Sequence, residues 1–105
     1  MVNFTAIPTN MNELRSFVDR QPYTLNLPID KLITGRFNNY NYPSHPPTAF
    51  ILFRRNLYAD PRYRHLRSKI VPRAKKEWND LPEHGIKQFF KTISNACVLM
   101  HRKHL

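Results

Sequence analysis

The chain of 105 residues is long enough for one domain with a modest core and too short for two domains with a cleft between them. It holds 17 lysine and arginine residues against seven acidic residues, a formal net charge of +10. A chain this basic is expected to bind polyanions. Neither of its two glycines, Gly35 and Gly85, belongs to a glycine-rich phosphate loop, so a nucleotide-dependent enzyme is not expected.

Cysteine and histidine usage gives no sign of a cofactor. The one cysteine, Cys97, cannot form an internal disulfide, and the five histidines have no cysteine partners at zinc-finger spacing. No apolar run approaches the roughly 20 residues that cross a bilayer, and the first residues lack the pattern of a secretory signal. We therefore expect no metal, no cofactor, no membrane contact and an intracellular protein. Because no nucleophile, base and orienting group stand together as a set, neither an enzyme nor a small-molecule substrate is expected.

Residues 1–43 are interpreted as an N-terminal arm or linker, largely irregular and in part disordered. They are polar, carry a net charge of only +1 and are interrupted by four prolines. One short helix is predicted around Asn12 to Val18, with Asn12 as its cap. A few apolar side chains are expected to dock on the rest of the protein, namely Leu25, Leu27, Ile29 and Leu32.

Residues 44–105 are predicted to form an all-α domain of three helices. The first runs from about Thr48 to Ala59, between a Pro-Pro pair that fits a helix start and an Asp-Pro pair that stops it. The second follows the four-residue spacing of Leu66, Ile70, Ala74 and Trp78; Pro72 either kinks it or begins it. The third is signalled by the sequence Asp-Leu-Pro-Glu at 80–83 and an apolar seam from 86 to 100. The predicted core is mostly aromatic: Phe50, Phe53, Leu57, Trp78, Phe89, Phe90 and Ile93.

The positive charge is concentrated in this second part, which holds thirteen basic and four acidic residues. Within it, residues 62–76 contain seven basic residues and no acidic one. An ordinary charge run is a solvated helix face, but a density near one cation per two residues repels itself unless an anion neutralises it. The segment therefore favours nucleic-acid binding.

The sequence of residues 45–55, HPPTAFILFRR, resembles the opening of the HMG box, above all the fungal mating-type kind, whose first helix begins RPPNAFILYR. Ser-Lys-Ile at 68–70 is similar to the start of that family's second helix. Trp-Asn-Asp-Leu-Pro at 78–82 is similar to its W-x-x-L-P turn, and Met-His-Arg at 100–102 to the end of its third helix. The resemblance covers residues 45–105 and none of the arm.

The resemblance implies an L-shaped three-helix domain that binds the minor groove of double-stranded DNA and bends it. Phe50, Phe53 and Leu57 supply the inward face of the first helix, which leaves Ile51 as the wedge between base pairs. Ser68 and Ile70 match a second contact point, and the basic residues are assigned to phosphates. The expected DNA contacts are Thr48, Phe50, Ile51, Arg54, Arg55, Arg67, Ser68, Lys69, Ile70, Arg73, Lys75 and Lys76.

The expected function is that of a nuclear transcription factor similar to mating-type regulators, with DNA as its partner and other transcription factors as a second kind of partner. Thr48 stands where the family has asparagine, and one hydroxyl cannot make the bidentate contact of an amide. A non-specific architectural chromatin protein is therefore an alternative. The position of Pro72 and a shortened first connection favour a second alternative, a degenerate box that binds proteins. A small RNA-associated basic protein is a third.

Overall fold

The computed structural model describes residues 7–34 and 46–103, and within these ranges the chain is all-α, with no β-strand. Five α-helices follow in order: α1 (Met11–Asp19), α2 (Ile29–Thr34), α3 (Ala49–Tyr58), α4 (Ile70–Asp80) and α5 (Ile86–Arg102). Residues Pro61–Lys69 between α3 and α4 form a 3₁₀ segment. The three helices predicted after residue 43 are confirmed as α3, α4 and α5.

The prediction of a largely irregular arm is wrong for residues 7–34, which contain two helices. The first begins one residue earlier than predicted, because Asn10 and not Asn12 is its cap: Asn10 Oδ1 accepts from the Glu13 amide at 2.9 Å. Glu13 Oε1 in turn accepts from the Thr9 amide at 2.9 Å and from its hydroxyl at 2.8 Å. These hydrogen bonds hold the pKa of the Glu13 carboxyl below its ordinary value.

The N-terminal helices and the later helices share one hydrophobic core. Its buried members come from all five helices: Leu14, Phe17, Ile29, Leu32, Leu52, Phe53, Ala74, Phe89, Phe90, Ile93, Ala96 and Cys97. Leu25 and Leu27 pack against this core, as the sequence predicts. The boundary placed after residue 43 lies outside the described residues, but residues 7–34 belong to the packed body.

Two adjacent aromatic rings on α5 join the two halves of this core. The ring of Phe89 lies 5.9 Å from that of Phe17 and 5.2 Å from that of Tyr23, both from the N-terminal part. The ring of Phe90 lies 5.7 Å from that of Phe53 on α3, and Phe53 in turn lies 5.3 Å from Trp78 on α4. Of the predicted aromatic core, Phe53, Phe89 and Phe90 are therefore buried, while Phe50 and Trp78 pack against the core half-buried. The core extends further toward the N-terminus than expected.

Helix α3 agrees closely with its predicted bounds. Thr48 caps it by accepting the Ile51 amide on its hydroxyl at 3.2 Å, and the helix ends at the Asp-Pro pair. Its most deeply buried residue is Leu52, with no exposed surface, whereas the sequence pattern selected Phe50, Phe53 and Leu57. Phe50 and Leu57 flank the core and are half-buried.

Helix α4 begins at Ile70, so Pro72 is its third residue. The first four amides of a helix have no partner within it, so proline costs nothing there. Neither alternative predicted for Pro72 is correct, because the helix is not kinked at the proline and starts two residues before it. Helix α5 begins at Ile86, later than predicted, after Gly85 with a φ of 90°. A Cβ at that glycine would lie 3.1 Å from the Tyr23 hydroxyl.

Candidate nucleic-acid interface

The exposed side chains of the 3₁₀ segment and of α4 over residues 62–76 form a basic stretch, which we call the basic surface. All seven of its lysines and arginines are exposed. The chain forms a surface here because the 3₁₀ segment contains no buried residue, and because α4 places only Ile70 and Ala74 fully inside. The side chains between these two positions therefore point to solvent.

Two of the seven cations are held by carboxylates at the ends of the basic surface. Arg62 Nη2 lies 2.7 Å from Asp60 Oδ2, and the Asp60 carboxylate also accepts the Arg62 amide. These bonds hold the pKa of the Asp60 carboxyl below its ordinary value. Arg73 Nε lies 3.2 Å from Glu77 Oε1. Among the described residues, no ion pair involves the other five cations, which are Arg64, Arg67, Lys69, Lys75 and Lys76.

One of these five cations has an unfavourable backbone conformation. Arg67 has φ 48° and ψ −118°, the only positive φ at a non-glycine residue in the described chain. Residues with a Cβ rarely adopt this region, and holding one there costs about 1–3 kcal/mol. The turn at Arg67 redirects the chain from the 3₁₀ segment into α4. It leaves Arg67, Ser68 and Lys69 exposed together at the start of that helix.

An apolar pair interrupts the cations on α4. Val71 is 42% exposed, one of three large hydrophobic residues exposed among those described, and Pro72 beside it is exposed as well. Ile70, the apolar contact expected from the resemblance, is instead 5% exposed and lies on the inward side of the helix. The apolar surface available next to Ser68 therefore belongs to Val71. The helical stripe through Ile70, Ala74 and Trp78 places residue 71 off its centre and could have indicated this.

The expected contacts on α3 are less exposed than those on α4. Ile51 is half-buried, and it is absent from the side chains packed against the core. The Arg54 guanidinium lies 6.0 Å from the centroid of the Phe50 ring. The Thr48 side chain is exposed, and its hydroxyl accepts the helix-capping hydrogen bond. Of the contacts expected on α3 itself, Ile51 and Arg54 are thus the side chains that an external partner could reach.

Arg55, expected to contact phosphate, is engaged within the protein. Its Nη1 donates to the backbone oxygens of Leu32 at 3.0 Å and Ile33 at 3.3 Å, the last turn of α2. Burial, with the nearby charge of Arg54, lowers the pKa of Arg55. The structure therefore separates Arg55 from the other predicted contacts and gives it a capping role.

Three basic residues in or near the basic surface are absent from the predicted contact set. Arg62 and Arg64 lie in the predicted basic run but outside the predicted contact set, and Arg64 is as exposed as the cations that were selected. On α5, Lys87 lies 5.3 Å from the Trp78 ring and 3.3 Å from Glu83, so it is part of the folded body. Trp78 keeps its predicted packing role.

No group of three metal-ligating side chains occurs within residues 7–34 and 46–103. Burial raises the pKa of the Cys97 thiol to about 11, so the thiol is protonated at neutral pH. Among the described helices, none has the length and apolar character needed to span a bilayer.

Comparison with protein-family models, with curated proteins and with solved structures finds no match to this chain.

Proposed function

We propose that the protein binds double-stranded DNA through the basic surface, inserts apolar side chains into the minor groove and bends the duplex. The observation that carries the proposal is the set of five exposed cations without a carboxylate partner among the described residues. The phosphates of a duplex are a regular array of negative charge, and lysine and arginine at this density neutralise it with release of counterions.

The apolar residues beside these cations support the bending part of the proposal. A side chain that enters the minor groove unstacks two base pairs for a few kcal/mol, and cations on the flanking phosphates offset that cost. Val71, 42% exposed, lies between Lys69 and Arg73 in the sequence and so has this arrangement. Ile51 on α3 is the second candidate, as the resemblance to the HMG box implies.

The resemblance supports the finer part of the proposal. An L-shaped arrangement of α3, α4 and α5, of the HMG-box kind, would present Ile51 and the start of α4 to one duplex. The role that follows is regulation of transcription in the nucleus, together with other transcription factors. Thr48, whose hydroxyl is used as a helix cap, favours modest sequence specificity within that role.

The test is the salt dependence of binding to a labelled duplex of about 20 base pairs. Five phosphate contacts predict a slope of log affinity against log salt of about −4.5. The double variant Lys75→Gln/Lys76→Gln removes two exposed cations that no described residue pairs. It should reduce the slope to about −2.7 and lower the affinity about 60-fold at about 0.1 M salt. Energy transfer between dyes at the duplex ends measures the bend.

The matched control is Arg20→Gln/Lys31→Gln, which makes the same change of net charge on the N-terminal part. Both residues are exposed and form no ion pair among the described residues. This control should leave slope and affinity within twofold of the parent. Equal losses in both variants would mean that only net charge matters. No shift of any duplex at about 50 mM salt would instead favour the protein-binding alternative. Binding without any increase in energy transfer between the dyes at the duplex ends would exclude bending.

A further inference from the structure

The tripeptide Leu-Arg-Ser occurs twice in the chain, at residues 14–16 and 66–68. Both serines, Ser16 and Ser68, are exposed. The two copies are therefore similar in local sequence and in exposure of the hydroxyl. They differ in how much structure must unfold before an enzyme that binds the segment in an extended form can reach the serine.

The copy at Ser16 is held in α1 by the core. Leu14 has no exposed surface and Phe17 is 5% exposed, so unwinding the helix around Ser16 would pull two buried side chains into water. Arg15 is also tied to Asp30, at 2.9 Å between Nη2 and Oδ2. Local opening at Ser16 thus approaches the cost of unfolding the N-terminal part.

The copy at Ser68 is held much more weakly. The 3₁₀ segment that contains it has no buried residue, and short 3₁₀ stretches have poorer hydrogen-bond geometry than α-helices. Arg67 is already outside the helical region, at φ 48°. The chain from Pro61 to Lys69 can therefore become extended without exposing a buried side chain, a low-cost local opening. The nearest buried side chain after Ser68 is Ile70, 5% exposed, two residues further on.

We propose that Ser68 is a phosphorylation site for a protein kinase with an acidic substrate groove, and that its phosphorylation weakens the basic surface. Cations flank the hydroxyl on both sides, with Arg64 and Arg67 before it and Lys69 after it. This pattern is complementary to an acidic groove. The regulatory part of the inference rests on the DNA-binding function proposed above.

The reaction requires a nucleoside triphosphate bound to the kinase. Ser68 Oγ attacks the γ-phosphorus, the bond from Oγ to phosphorus forms, and the bond from that phosphorus to the β,γ-bridging oxygen breaks. The nucleoside diphosphate leaves, and the hydroxyl proton passes to the catalytic carboxylate of the kinase. The product carries a charge of about −1.5 to −2 at neutral pH.

The phosphate would lie among cations that form no ion pair with a carboxylate of the described residues. It would accept charge-assisted hydrogen bonds from the neighbouring guanidinium and ammonium groups, so about two cations would be lost to DNA phosphates. Loss of two contacts predicts about 60-fold weaker duplex binding at about 0.1 M salt and a slope less steep by about 1.8. Phosphorylation of Ser16 adds the same charge to α1, outside the basic surface.

The first experiment compares each serine with its own peptide. The full chain and peptides of residues 9–23 and 61–75 are incubated with a purified kinase of basic specificity and ATP, and phosphate at each serine is followed by mass spectrometry. Ser68 in the full chain should react within about threefold of its peptide rate, and Ser16 at least tenfold more slowly than its peptide. Suppression of both serines to the same extent would overturn the assignment of the site.

The second experiment measures duplex binding of the full chain with phosphoserine placed at residue 68, or at residue 16 as the charge-matched control. Only the change at 68 should give the 60-fold loss. The variant Ser68→Ala should show the same affinity before and after kinase treatment. If the protein with phosphoserine 68 binds as tightly as the parent, the proposed regulation by phosphorylation is wrong, whereas the proposed DNA binding is supported. If the unmodified chain binds no duplex, the proposed function and its regulation both fail, while the reaction rates still decide the site.

Discussion

Arg54 and Arg55 are neighbours with the same side chain and different surroundings. Arg54 lies over the Phe50 ring, whereas Arg55 donates to two backbone oxygens at the end of α2. The sequence assigned the same role to both, since a run of two arginines carries no sign of which one faces the protein. The partner of Arg55 is more than twenty residues away in the chain, so only the tertiary fold reveals it.

Replacing Arg55 with alanine should therefore lower stability more than replacing Arg54. A hydrogen bond from a charged group to carbonyls at a helix end contributes about 1–2 kcal/mol, which corresponds to a fall in Tm of about 5–10 °C for a chain of this size. Arg54→Ala removes a contact between a cation and a ring, for about 0.5–1 kcal/mol. Thermal unfolding followed by circular dichroism measures both. A larger fall for Arg54→Ala would contradict the capping role.

At the scale of single elements, the junction of the 3₁₀ segment with α4 combines strain with exposed charge. Arg67 adopts a backbone conformation that favours glycine and also supplies one of the unpaired cations. Strained positions persist where the surrounding structure or a function maintains them. If the Arg67 side chain contacts DNA, a substitution that relieves the strain should raise stability and weaken DNA binding.

Arg67→Gly should raise stability and weaken DNA binding together. Relief of the backbone strain offsets the greater entropy of glycine in the unfolded chain and leaves a gain of about 1 kcal/mol. Loss of one phosphate contact should make the salt slope less steep by about 0.9. The matched variant Arg67→Ala loses the same charge but keeps the strain, so its unfolding free energy should change by less than about 0.5 kcal/mol. Urea unfolding and duplex titration give the two quantities. Equal stability of the two variants would show that the backbone is unstrained.

The limits of sequence prediction are also clearest at the element scale. Local signals fix α3, because a capping threonine and an Asp-Pro stop act within one or two turns. They fail at Pro72, since a proline in the first turn and a proline at a kink have the same sequence pattern. They fail again at Ile70 and Val71, two adjacent aliphatic residues of which only packing decides the buried one. The site prediction thus located the basic surface but not all of its apolar members.

For the molecule as a whole, charge and core are distributed differently along the chain. Residues 7–34 hold three basic and three acidic residues and are neutral, while nearly all net charge lies beyond residue 43. The hydrophobic core does not follow the division of charge. It includes four residues of the N-terminal part that are buried with the later helices, namely Leu14, Phe17, Ile29 and Leu32. Composition suggested an arm because short helices separated by prolines resemble a linker in sequence. Their burial depends on contacts with α3 and α5 that no local pattern contains.

The fragment of residues 35–105 should consequently be much less stable than the full chain, although it contains the whole segment that resembles an HMG box. Without residues 1–34, Phe89 loses the rings of Phe17 and Tyr23, and exposing a buried phenylalanine costs about 1.5–3 kcal/mol. Loss of the Arg55 bonds to α2 adds to this. We expect an unfolding transition at lower temperature and binding of a hydrophobic dye.

The substitution Phe89→Gln tests whether α1 and α2 are the cause. In the full chain it removes a side chain that is 3% exposed, and it should cost about 3–5 kcal/mol. In the fragment, where the same ring already faces water on one side, the cost should be at least 1–2 kcal/mol smaller, and dye binding should decrease. This difference is the coupling between residue 89 and the N-terminal helices, obtained from denaturant unfolding of the four proteins. Equal costs in both backgrounds would mean that residues 7–34 contribute no packing to α5 and act as the arm that the composition suggested.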